Sequence, residues 1–257
     1  MAAEHKRPWT GLRGSTRRAG RLDRVEVKIL VPESDHGVLA SALRMREAPT
    51  RRVYFLDTPD LDLARQGLVV RVRTHSSGGG DSVVKLRRTR PGPLPRGMRW
   101  SRNVSVELDA LPQRSWWTTA VACPLRPAVV RAAVRGREPL QTLISAEQRR
   151  FLRAVTTTAH PLRELRVHGP IAVTRMIGEI PGDVGRGGAG QGGARKLVLE
   201  SWAYPDGSRL YEVSTKCRPA RAPRVAEAIR HLLAERGIHP TSEQQTKTGA
   251  SLAHFAR

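Results

Sequence analysis

The sequence predicts an α+β fold, an eight-stranded antiparallel β-barrel with peripheral helices, and three observations predict it. Short segments with period-two alternation recur from Arg24 to Lys216, a spacing that sends successive side chains to opposite faces of a sheet. Their polar faces carry both charge signs: Arg24, Glu26 and Lys28 come first, followed by Arg71 and Arg73, then Lys85 and Arg87. Glu107 and Asp109, Lys196 and Glu200, and finally Glu212, Ser214 and Lys216 repeat the pattern. The connections are mostly hairpins, and closing such a sheet removes its exposed edges. Closure would gather the charged faces in one lumen; the competing arrangement is an open sheet with a surface ladder of ion pairs.

The elements follow in order. Arg24 to Ile29 is the first strand, with Val25, Val27 and Ile29 on its apolar face. Pro32 to Glu47 has helical spacing at Val38, Leu39, Ala42, Leu43 and Met45, with Ser34 as N-cap and Pro49 beyond its end. Arg51 to Asp57 is β-rich, and Thr58-Pro59-Asp60 opens a helical turn that Gly67 stops. Leu68 to Arg73 and Val83 to Arg87 alternate about a glycine-rich hairpin loop, and Val104 to Asp109 alternates again.

Residues 112 to 162 predict two or three helices, carrying Trp116, Trp117 and Phe151 as core, with Ser145 and Gln148 as a capping box. Leu165 to Ile177 returns to strand. Gly188, Gly190 and Gly193 stand in GxGxxG register, but a strand follows where a dinucleotide fingerprint needs a helix. Lys196 to Tyr204 and Ser208 to Lys216 form a hairpin across Pro205-Asp206-Gly207, and helices over Arg221 to Arg236 and Ser242 to Phe255 close the chain.

Composition narrows the partners. The 257 residues carry a formal net charge of +22, which favours polyanions. Two cysteines without metal-ligand spacing, no membrane-spanning apolar run and no secretion signal fit a reducing cytoplasm and no membrane partner. Residues 1 to 21 are basic and Pro/Gly/Ser-punctuated, predicting a disordered tail that could bind nucleic acid weakly, ahead of one domain over 22 to 257.

Arginine forks and lysine point charges suit phosphate oxygens, and clustered carboxylates suit Mg²⁺ or Mn²⁺ carrying phosphates. A lumen holding both predicts a site for metal-bound polyphosphate. Glu26-Val27-Lys28, the run from Tyr54 to Leu61, the Arg71-x-Arg73 strand, Val84-Lys85-Leu86 and Glu212 to Lys216 resemble the CYTH superfamily, the triphosphate tunnel metalloenzymes, in order along the chain.

The resemblance implies an eight-stranded tunnel for a triphosphate or polyphosphate substrate with Mg²⁺ or Mn²⁺. Lys28, Arg71, Arg73, Lys85 and Arg87 would bind phosphate together with Arg175, Lys216 and Lys247. Glu26, Glu107, Glu200 and Glu212 would hold the metal, and Glu26, Lys28 and Glu212 would carry catalysis. Two positions depart from the family pattern: Arg24 replaces the first glutamate of Glu-x-Glu-x-Lys, and Ser214 replaces the second of a late Glu-x-Glu. The resulting expectation is a triphosphatase; the alternatives are a non-catalytic polyphosphate-binding module, an adenylyl cyclase and an RNA-binding protein.

Overall fold

The computed structural model describes residues 21–90, 92–157, 162–180 and 195–256, together with Trp9 and Leu12. Nine strands close into one barrel: β1 (Arg24–Val31), β2 (Arg46–Asp57), β3 (Leu68–His75), β4 (Gly80–Arg88), β5 (Val104–Ala110), β6 (Ser115–Leu125), β7 (Arg166–Ile180), β8 (Arg195–Ala203) and β9 (Arg209–Cys217). Their order around the ring is β1-β5-β6-β4-β3-β2-β7-β8-β9, returning to β1.

The expected count of eight is therefore corrected to nine, and an odd ring cannot alternate direction all the way round. One parallel contact is unavoidable. It falls between β1 and β5, where Glu26 stands beside Asp109, while the other neighbours run antiparallel.

The ninth strand is β6, in the region expected to be helical. Trp116 and Trp117 lie on it, and its β-branched and aromatic run pairs with both β4 and β5. Helices do follow, α3 (Pro127–Val134) and α4 (Ala146–Val155), and α4 begins with the predicted capping box of Ser145 and Gln148. Gln148 also donates to the carbonyls of Ser82 and Val121, both at 3.0 Å, docking α4 on β4 and β6.

The first predicted helix is shorter than expected. Helix α1 (Glu33–Ala42) is capped at Pro32 rather than Ser34, and the chain is extended again from Arg46 because the 15-residue β7 offers a partner along the whole of β2. Short α2 (Asp62–Arg65) follows β2. Asp57 accepts hydrogen bonds from the amides of Thr58, Leu63 and Ala64 at 2.8, 2.9 and 3.0 Å. That phrase of the sequence thus builds a turn. Helices α5 (Ala222–Ala234) and α6 (Lys247–Phe255) end the chain, α6 starting later than expected.

Two of the three core clusters lie outside the barrel. Val25, Val27 and Ile29 pack with Val225, Ile229 and Leu233 of α5 in one cluster, which Trp9 and Leu12, from the stretch expected to be a tail, also join. Val70, Val72 and Val84 pack with Val130, Phe151 and Leu152 in another. A third cluster, with Val53, Phe55, Val173 and Trp202, receives Ala250, Leu252 and Phe255, so α6 closes the lumen at that end. The glycine-rich stretch holding Gly188, Gly190 and Gly193 lies outside the described residues.

Candidate functional site: a charged tunnel

Alternation leaves the other strand face pointing inward, and it encloses a cavity of about 460 Å³. Lys28, Arg71, Arg73, Lys85 and Arg87 line it together with Arg175, Lys216 and Lys247, so the eight predicted phosphate ligands share one space. Glu26 and Glu200 line it too, whereas Glu107 and Glu212 sit behind lysines.

Cross-strand register creates the ion pairs. On β1 and β9, Glu26 stands opposite Lys216 and Lys28 opposite Ser214. Lys28 Nζ lies 3.0 Å from both Glu26 and Asp109, and Asp109 is fully buried and accepts from Thr118 at 2.9 Å. Burial opposes the charge on both carboxylates, but Lys28 overcomes it. Glu26, also facing Lys216, falls to about 2, and Asp109 is held well below the usual carboxylate range. Lys216 Nζ donates to both oxygens of Glu107 at 2.8 and 2.9 Å.

Glu200 and Glu212 face each other across β8 and β9. Two carboxylates so placed repel unless a cation joins them. Lys247, at the start of α6, reaches both at 2.6 Å, and Arg175 lies 3.1 Å from Glu200. Despite burial, Lys247 keeps Glu200 strongly acidic; at Glu212 burial wins and raises the pKa. Glu212 Oε2 is buried without a hydrogen-bond partner among the described residues.

The wall formed by β3 and β4 differs. Arg73 is neutralised by a two-point contact with Asp81 at 3.0 and 2.9 Å, and Arg87 donates to Thr246 and Thr248 at 3.0 and 3.2 Å. Arg71 and Lys85 have no carboxylate partner among the described residues, and Arg71 Nε is buried without an acceptor. Burial, reinforced by Arg73, draws Arg71 down to about 9; burial, reinforced by Arg71, draws Lys85 down to about 7. At Lys85 Asp109, and at Arg71 Asp81 and Glu200, oppose the shift without overcoming it.

The metal expectation divides. Glu26 and Glu107 belong to a cluster whose third member is Asp109, with ligand atoms within 4.8 Å of one another. Lysines hold both groups: Lys28 bridges Glu26 and Asp109, Lys216 takes Glu107, and Lys247 bridges Glu200 and Glu212. The all-oxygen donor set of the first group fits a hard divalent cation.

No protein-family model matches the chain, and no curated protein does. Among solved structures, the putative adenylyl cyclase HpAC1 from Hippeastrum, with a dominant triphosphatase activity, matches at a TM-score of 0.61 and 17% identity, over 89% of this chain and 95% of its own. A putative adenylate cyclase from Bacillus halodurans matches at 0.58 and 16%, over 90% and 98%. The chain has the CYTH-like fold. At such identities only the fold is carried across, so the chemistry rests on this chain's side chains.

In this CYTH-like barrel both departures from the family pattern, Arg24 and Ser214, line the cavity. Sequence reasoning also missed Arg51, which lines the lumen 3.7 Å from Glu200. Alternation could not have found it, since on β2 Arg51 shares its face with the apolar Val53 and Phe55, which here point into the barrel. Asp109 was seen on the polar face of its strand but left out of the ligand set.

Proposed function

We propose that the tunnel binds a linear triphosphate compound, such as tripolyphosphate or a nucleoside or thiamine triphosphate, and hydrolyses it with Mg²⁺ or Mn²⁺. The observation that carries this reading is the unpartnered pair Arg71 and Lys85 in a cavity lined by eleven cationic and two acidic side chains. Like charges 4 Å apart at an effective dielectric near 20 repel by about 4 kcal/mol, so a polyanion would offset the repulsion among these cations.

Arg71 and Lys85 would take phosphate oxygens directly, with Arg73, Arg87 and Arg175 extending the seat along a chain of phosphates. Glu26, Glu107 and Asp109 would hold the cation, which supplies charge neutralisation and an activated water. Lys28 fixes Glu26 and Asp109 as anions, and Glu212, buried behind Lys247, holds that lysine at the lumen. A binding module without catalysis is the second reading, favoured by Arg24, whose fixed positive charge stands where the family resemblance implies a carboxylate.

Phosphate release from tripolyphosphate, ATP and thiamine triphosphate with Mg²⁺ or Mn²⁺ tests the first reading. Turnover that EDTA stops is expected; ATP converted to a cyclic product would assign the cyclase instead. At 100 times its dissociation constant tripolyphosphate should stabilise the fold by about 2.7 kcal/mol. Equal thermal shifts with orthophosphate at matched ionic strength would sink the tunnel reading, and a specific shift without turnover would select the binding module.

A further inference from the structure

The outward faces of β4, β5 and β6 floor a second cavity of about 560 Å³, away from the tunnel. Leu86, Val106 and Trp117 make that floor apolar. The segment 92–100 walls it and ends in Trp100, which is 85% exposed. An indole left in water forgoes the burial of about 150–250 Å² that such a ring normally gains, and no packing among the described residues covers this one.

The charge around it has one sign. Arg88, Arg90, Arg96 and Arg99 are exposed at the cavity, and no carboxylate among the described residues lines it. Arg99 lies over the Trp100 ring, its guanidinium carbon 5.4 Å from the centroid. Arg21 also lines the cavity and donates to the carbonyls of Arg99 and Val104 at 2.6 and 3.0 Å, which fixes the base of this wall.

We propose that this surface binds single-stranded nucleic acid, with a base stacked on Trp100 and the arginines on neighbouring phosphates. A strand supplies a π face and a phosphate at every nucleotide, so one ligand accounts for both the bare indole and the guanidinium rim. A mononucleotide carries too little charge to satisfy four exposed arginines, and inorganic polyphosphate offers nothing for the ring. The apolar floor takes the stacked base out of water, and the arginines contribute both charge and stacking.

The test is fluorescence anisotropy of a labelled oligouridylate of about twelve nucleotides, within the span such surfaces cover, on the full chain with saturating tripolyphosphate to occupy the tunnel. Trp100→Ala should weaken binding about fivefold to a hundredfold, the loss of one stacked base. Arg90→Glu with Arg96→Glu should weaken it further and flatten its salt dependence. Because Trp100 is exposed, circular dichroism and the tripolyphosphate thermal shift should match the parent.

Equal affinity of Trp100→Ala and parent would overturn the proposal. Displacement of the oligonucleotide by polyglutamate at equal charge would assign the surface to acidic proteins instead, and loss of binding on adding tripolyphosphate would move it to the tunnel. Either result overturns the proposal as well.

Discussion

Two walls of the same tunnel handle charge in opposite ways. Along β1, β5, β8 and β9, Lys28, Lys216 and Lys247 each meet carboxylates within 3.0 Å. Along β3 and β4, Arg71 and Lys85 meet none. The first wall is neutral as it stands and contributes order, because removing either partner strands the other. The second is unsatisfied among the described residues, and under the proposed reading it is the wall that contributes affinity. Position in the lumen is thus a poor guide to what a cation does; its nearest carboxylate decides.

Breaking the paired wall should have the largest effect. Asp109→Asn keeps the side chain's shape but leaves Lys28 with Glu26 alone, and removing one member of a buried pair costs about 3–5 kcal/mol. Urea unfolding should show that loss, and a midpoint equal to the parent's would mean the pairs are ornamental.

The unpaired wall should respond with two signs. Lys85→Met or Arg71→Met should leave the empty protein as stable as the parent or more so, yet weaken tripolyphosphate binding by about 1.5–3 kcal/mol, the worth of a charge-assisted hydrogen bond. Calorimetry and unfolding together check it. A variant that loses stability and keeps affinity would reverse the assignment of the two walls.

A smaller effect is written in pH. Lys85 sits at about 7 in the fold against 10.5 for the free side chain, so between those values the unfolded chain binds more protons and stability rises with pH. Below pH 7 both states are protonated and the full penalty of the unpaired cation is present. Tripolyphosphate affinity should move the other way, falling as pH rises through 7, and Lys85→Met should flatten both trends. A parent whose affinity is level from pH 6 to 9 would show that Lys85 stays charged without ligand.

The smallest effect on stability belongs to Arg24, exposed at the start of β1. Arg24→Glu should alter stability by about 0.5 kcal/mol or less, while weakening tripolyphosphate binding in EDTA and deepening its dependence on Mg²⁺ or Mn²⁺. Unchanged titrations would remove Arg24 from the site.

Much of the tunnel was legible because a strand's period is an integer: once Val25 and Val27 are assigned outward, Glu26 and Lys28 must face in. That logic put Lys28, Arg71, Arg73, Lys85, Arg87 and Lys216 on inward faces, whereas Arg175 and the helical Lys247 came from the family resemblance. It failed where pairing, rather than pattern, makes the strand. The first half of β2, from Arg46 to Arg52, is largely exposed and polar, and it is extended because β7 lies alongside. Trp116 and Trp117 resembled helix core because large apolar side chains suit either structure, although the Thr118-Thr119 that follows favours a strand. The partnership of Asp109 with Lys28 depends on the parallel β1–β5 contact, which hairpin reasoning cannot produce.

That contact also bears on how the site comes into being. Strand β1 is held on one side by β5 and on the other by β9, nearly at the opposite end of the chain. Pairings this distant in sequence form late and slowly, since the chain entropy of closing the loop is lost before the contacts repay it. During synthesis Glu26 and Lys28 therefore wait on an open sheet until residues 209–217 leave the ribosome, and Lys247 arrives later still. A nascent chain has Lys28, Arg71, Arg73, Lys85 and Arg87 long before it has the barrel, and the charged lumen is enclosed only after the last helix docks.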